Sequence, residues 1–383
     1  MMPKERVFPT LDHREPDGVP IDLGATMETT VHVDEYALLK EHLGIAVERE
    51  LGIKHLTAQF AVIDREVQEA IGADVRGTEP RTPVQPVITR RGEYLVLEDE
   101  FGIGWQRPLQ GGLYFDMYRH PLAEASLEDM RAHRWPDPRD PRRWEGLEQR
   151  VQELAEDGRY PVVFDNAMGN GIFQMCNQLM GYDKFLMALA LREERAFWLL
   201  DRILELKMEL WDEALTRFGA HVDVVKELDD MGTQLDTFIS PEMYRADIKP
   251  RLARLVEHIK ARAPHVRIML HSCGAVRKVI GDFIDAGVEI LNPVQYTAAG
   301  MDPAELKREF GADLTFWGGG LETQKTLPSG SVLEVVEETR KQLDILMPGG
   351  GFVFAPVHTI QWGVPTENLV AMWQTVREHG VYR

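Results

Sequence analysis

From about residue 160 onward, short runs rich in β-branched and aromatic residues alternate with longer segments of helical periodicity, and this alternation restricts the fold more than any other feature of the chain. The runs are "YPVVFDNA" (160–167), "HVDVVKELDD" (221–230), "VRIMLHSCG" (266–274), "VEILNPVQ" (288–295), "LTFWGGG" (314–320) and "GFVFAPVH" (351–358). Between them lie stretches such as "EERAFWLLDRILELKMELWDEALTRFG" and "SVLEVVEETRKQLDILM", whose apolar residues recur every three or four positions, as on an amphipathic helix. "SPEMYRADIKPRLARLVEHIKARA" opens with Ser240 and Pro241, a suitable N-cap and first helical residue. Strands that alternate with helices build parallel sheets, because a parallel pair needs a long crossover.

These six strands, with "GVPIDLG" (18–24) and one more, would close a (β/α)8 barrel of the TIM type. The competitor is an open doubly wound sheet. Its dinucleotide-binding version needs a G-x-G-x-x-G turn after an early strand, and none is present. Residues 1–150 read differently. "PVITRRGEYLVLEDEFGIGWQRPLQGGLYF" predicts a small antiparallel meander, and "HRWPDPRDPRRW" a proline- and charge-rich connector. The expected fold class is therefore α/β, a single TIM-barrel domain over 1–383 with residues 1–150 as an N-terminal elaboration.

Charge narrows the partners. With 62 acidic against 43 basic residues the formal charge is -19, a field that repels nucleic acid and anionic lipid surfaces. No apolar run reaches the ~20 residues that span a bilayer, and "MMPKERVFPTLDHREPDG" lacks the apolar core of a signal peptide. The expectation is a cytoplasmic protein with no membrane and no nucleic-acid partner. Two cysteines, Cys176 and Cys273, are too few for a disulfide framework. Cys176 lies in an apolar helical stretch and reads as core.

In a (β/α) barrel the reacting groups sit where each strand stops at its C-terminal end. Those ends carry Asp165 and Asn166, then Glu227, Asp229 and Asp230, then His271 and Cys273, then Asn292 and Gln295, then Gly318 to Gly320, and finally His358. His271 and Cys273 are two apart on a strand, so both side chains point to one face and supply half of a tetrahedral zinc site. A barrel brings distant strand ends together, which makes His358 the candidate third ligand. Three protein ligands leave one position open, as in catalytic zinc sites. The bland alternative is a buried cysteine beside a hydrogen-bonded histidine. Glu227 and Asp229 are the candidate proton-transfer groups, although carboxylates crowded in "ELDDMGTQ" also suit a solvated loop. Asn292, Gln295 and Gly319 are the candidate cofactor-binding positions. The glycine run after "LTFW" either admits a phosphate or flat ligand to the backbone or makes a tight strand-to-helix turn. Trp317, Trp362 and Tyr296 are candidates to line the mouth, against the commoner packing of aromatics on barrel helices.

In order along nearly the whole chain, "HREPDGVPIDLG", "ELDDMGTQLDTFISPEMYRADIKPRL", "LHSCGAVRKVIGDFIDAGVEILNPVQ", "LTFWGGGLETQKTLP" and "GGGFVFAPVHTIQWGVPTENLVAMW" resemble the uroporphyrinogen decarboxylase superfamily, most specifically over residues 220–380. That resemblance implies a (β/α) barrel. The decarboxylases proper carry an arginine-rich R-Q-A-G-R loop for the tetrapyrrole carboxylates, and this sequence has none. The other branch consists of corrinoid-dependent methyltransferases, whose zinc-binding members use an H-x-C pair and a C-terminal cysteine. His271 and Cys273 match the pair, and His358 stands where the cysteine is expected. Either imidazole replaces thiolate there, or metal binding has been lost.

The resemblance implies transfer of a methyl group between a small methylated substrate, such as an aryl methyl ether, and the cobalt of cobalamin carried by a partner corrinoid protein, with zinc as Lewis acid. It also implies a homodimer. The alternative is a metal-free decarboxylase or lyase acting on a carboxylated substrate through Asp229, Asp230 and His358.

Overall fold

The computed structural model describes every residue except Asn166, Ala167 and Arg383, and the side chain of Asp157. Seven parallel strands form one curled sheet in the spatial order Phe352–Val353, Thr315–Trp317, Ile290–Asn292, Arg267–His271, Val224–Leu228, Val162–Phe164 and Arg76–Thr78. Residues 20–22 sit between the two outer strands. Ile21 pairs in parallel with Phe354, and its carbonyl accepts the Asp74 N–H at 2.8 Å. The ring therefore closes, and the sheet has no exposed edge to satisfy.

The phase of each strand decides what reaches the lumen. Val75, Val163, Val224, Met269, Ile290, Trp317 and Val353 pack inside the barrel, while Val225, Ile268, Leu270, Leu291 and Phe316 face the helical layer. The first helix, Pro3–Leu11, plugs the bottom of the barrel, where Val7 and Leu11 join the lumen cluster and Lys4 pairs with Asp223 at 3.0 Å. The opposite face, at the C-terminal strand ends, is left open for chemistry.

The helix expected after Ser240 begins as predicted, with the Ser240 hydroxyl capping Met243 N at 3.2 Å. It then widens into a π turn over Tyr244–Ile248 before continuing as Lys249–Arg262. The meander is also present, as strands Thr89–Arg91, Tyr94–Glu98, Gly104–Pro108 and Asp116–Arg119 in an antiparallel sheet. Residues 1–150 supply two of the barrel's staves, residues 20–22 within the expected strand "GVPIDLG" and Arg76–Thr78. Among the described residues no helix is long and apolar enough to cross a membrane.

Candidate metal centre at the barrel mouth

His271 ends its strand, Cys273 follows two residues later, and His358 lies beyond the last strand. Two further strands separate the His271 strand from the last one, yet the curvature brings one ligand atom of each of the three residues within 4.8 Å of the others. Cys273 Sγ lies 3.1 Å from His271 Nε2, and the two imidazole rings meet edge to face with centroids 5.7 Å apart.

The imidazole of His271 is fixed by a relay through the neighbouring strands. Asn292 Nδ2 donates to the Trp317 carbonyl at 2.7 Å, which turns Asn292 Oδ1 toward His271 Nδ1 at 2.5 Å. Nδ1 must then carry the proton, and Nε2 presents a lone pair toward Cys273. Burial lowers the His358 pKa to about 4, helped by the neighbouring His271, so the His358 imidazole is neutral and able to ligate. Burial, and next Asp230, push the Cys273 thiol up. Without a cation it holds its proton; a dication between the three atoms stabilises the thiolate. Two imidazoles and one thiolate are a donor set that fits zinc.

The Cys273 loop is held from both sides. Cys273 N donates to Asp230 Oδ1 at 2.9 Å, and Gly274 N to Gln295 Oε1 at 2.8 Å. Gly274 has φ +86° and lies so near Gly232 that an added Cβ would sit 2.5 Å from its backbone, so only glycine fits. Above this loop opens a cleft of about 390 Å³ that exposes Cys273 and His358.

Other sequence candidates take different positions. Glu227 points outward from its strand, where its carboxylate accepts Lys207 Nζ at 2.8 Å and Trp211 Nε1 at 2.6 Å, against helix Glu194–Phe218. It does not reach the mouth, because it occupies the outward phase of the strand. Asp229 accepts the N–H groups of Phe173 and Gln174 at 3.0 and 2.8 Å, at the start of helix Ile172–Met180. Burial raises its pKa to about 7 against the pull of those N–H groups. Its oxygens thus tie a helix to the barrel rather than face the cleft. Asn292 and Gln295 orient the His271 ring and the Cys273 loop. Gly319, at φ +98°, would place a Cβ 2.7 Å from Val294, which is the tight-turn reading of the glycine run. Trp317 is a lumen residue bonded to Asp22 at 2.8 Å, Trp362 is exposed, and Tyr296 pairs with Glu338. Cys176 is buried, as expected. Asn166 lies outside the described residues.

Sequence reasoning missed the charged group in the lumen. Lys226, 0% exposed, points inward one residue before Glu227, with its ammonium 2.6 Å from Glu28 and 2.8 Å from Asp165. Burial opposes its charge, but Asp165 and Glu28 outweigh that and raise its pKa. Asp165 also accepts the Met27 N–H at 2.7 Å, which fastens the loop that carries Glu28. Asp230, 3.6 Å from His271 Nε2, completes the acidic surroundings.

Residues 122–379 match the family model described as "Uroporphyrinogen decarboxylase (URO-D)". No curated protein matches the sequence. Among solved structures, a methyltransferase from Methanosarcina mazei is similar over 99% of this chain and 99% of its own, with 20% identity and a TM-score of 0.64. Xylanase 10B from Thermotoga maritima aligns over 68% of this chain and 84% of its own, at 12% identity and a TM-score of 0.37. The first likeness is one of fold along the full length; the second is too distant to bear on function.

Proposed function

The chain belongs to the uroporphyrinogen decarboxylase family, and from that premise we propose that it is a methyltransferase, moving a methyl group between a small methylated substrate and the cobalt of a corrinoid protein. The observation that carries the reading is the convergence of His271, Cys273 and His358 on one point at the mouth, their ligand atoms within 4.8 Å. Zinc, when held there, acts as a Lewis acid that stabilises negative charge on the heteroatom losing or receiving the methyl group.

The chain's own residues do the rest. Asn292 keeps the His271 lone pair aimed at the site, and burial keeps His358 neutral. Asp230 and Gln295 anchor the backbone N–H groups of Cys273 and Gly274, which holds the loop that carries the thiol in place. Asp230 is also the carboxylate beside the ligands that can hold a proton for the substrate heteroatom, a role the sequence suggested for Glu227 and Asp229. The corrinoid carrier is the partner this reading requires at the mouth.

The test is methyl transfer to free cob(I)alamin from a panel of methylated amines, alcohols and aryl methyl ethers. Methylcobalamin absorbance that depends on the zinc-loaded protein supports the reading. Its absence with every donor, in a protein that holds zinc, contradicts it. Metal-free decarboxylation of a carboxylated substrate is the poorer reading, because Asp229, one of the three residues it would use, is committed to the helix Ile172–Met180.

A further inference from the structure

The cleft leading to the metal ligands has a charge character of its own. Its walls include Thr233, Gln234, Gln295, Thr297, Thr323 and Gln324, all of them neutral. No lysine or arginine lines it among the described residues. Glu322 lines it too, but its carboxylate already accepts the backbone N–H groups of Gln324, Lys325 and Thr326. The helix start that might have received an anion is therefore occupied by the chain's own carboxylate.

The cations nearest in sequence to Cys273 are spent elsewhere. Arg277 pairs with Glu305 and Glu309, and Lys278 with Asp236. Below the ligands, Lys226 is enclosed by Glu28 and Asp165, and Asp230 stands beside His271. An entering molecule thus meets walls that carry the Glu322 carboxylate and no cation, above an ion-paired cluster in which Lys226 and Lys54 are held by Glu28, Asp165 and Glu79, with Asp230 beside His271. Carboxylates and phosphates are recognised by arginine forks, lysines or free helix N-termini, and this cleft offers none.

We infer that the substrate taken at this cleft bears no anionic group and is a small polar molecule, neutral or positively charged. This rests on the metal-centre reading above, and excludes methyl donors and acceptors that carry a carboxylate, sulfonate or phosphate.

Three small thiols with different far ends test it on cobalt(II)-substituted protein: 2-mercaptoethanol, 2-aminoethanethiol and 3-mercaptopropionate. Each affinity is read from the thiolate-to-cobalt absorption and referred to the thiolate, because the free thiols differ in acidity. The inference predicts that 3-mercaptopropionate binds about tenfold more weakly than 2-mercaptoethanol, with 2-aminoethanethiol at least as tight as the latter. Gln324→Arg, on the cleft wall, should narrow the gap for the carboxylated thiol. Equal or tighter binding of 3-mercaptopropionate by the wild type overturns the inference while leaving the metal centre intact. Failure to take up cobalt at all overturns the metal-centre reading, and this inference with it.

Discussion

Asn292 Oδ1 accepts the His271 Nδ1–H at 2.5 Å while its own amide is held by the Trp317 carbonyl at 2.7 Å, so one strand sets the tautomer of a candidate ligand on the next. Removing such an orienting partner from a metal-bound histidine typically costs about 10- to 100-fold in metal affinity. Asn292→Ala should therefore weaken zinc binding by about that factor, measured by competition with a chromophoric chelator. An unchanged affinity would show that the ring is fixed by packing alone.

Glu227 should prove to be a stability residue. Glu227→Gln removes the carboxylate that Lys207 and Trp211 share in a buried position, a change expected to cost about 3 kcal/mol. Urea unfolding should report that loss, and zinc affinity should stay as in the wild type. A fall in zinc affinity without a fall in stability would return Glu227 to the site.

Lys226 gives a coupled pair of outcomes. Lys226→Met leaves Glu28 and Asp165 without the ammonium they share, with an expected cost of about 3–5 kcal/mol. Adding Glu28→Gln should recover part of it, because one buried negative charge is then gone. The double-mutant cycle should show coupling above about 1 kcal/mol.

Asp229 predicts a pH dependence with a definite sign. Its folded pKa of about 7 lies above the ordinary 3.8, so the folded state binds the proton more tightly than the unfolded one. The resulting stability is fully present below the unfolded pKa and is lost as pH rises through the folded pKa, by about 1.4 kcal/mol for each unit of the interval. Between pH 5 and pH 8 the wild type should lose stability relative to Asp229→Asn, measured by urea denaturation at each pH. A gap that stays constant would mean that the two backbone N–H groups keep Asp229 ionised throughout.

Much of this arrangement was legible in the sequence, and what was not has physical causes. His271, Cys273 and His358 were found because each is a chemically active residue where an apolar run stops, and barrel geometry gathers such ends. The phase of "VVKEL" was not legible. A barrel strand is covered on both faces, so the usual alternation of polar and apolar residues that would assign Lys226 inward and Glu227 outward is absent. The stave "RGT" at residues 76–78 is three residues long, too short to carry a periodicity; the expected strand "GVPIDLG" does join the barrel, through residues 20–22 and a few bonds to neighbours distant in sequence. Glu28 sits in "GATMETT", whose composition is that of any polar loop; only the fold carries it to Lys226.

The central claim is that His358 closes a zinc site begun by His271 and Cys273, and metal content tests it most directly. Protein purified without added zinc should carry about one zinc per chain, and His271→Ala, Cys273→Ser and His358→Ala should each strip it or weaken it by orders of magnitude. A wild type that holds no zinc and keeps its stability after chelation, or a His358→Ala variant that binds zinc as tightly as the wild type, would contradict it.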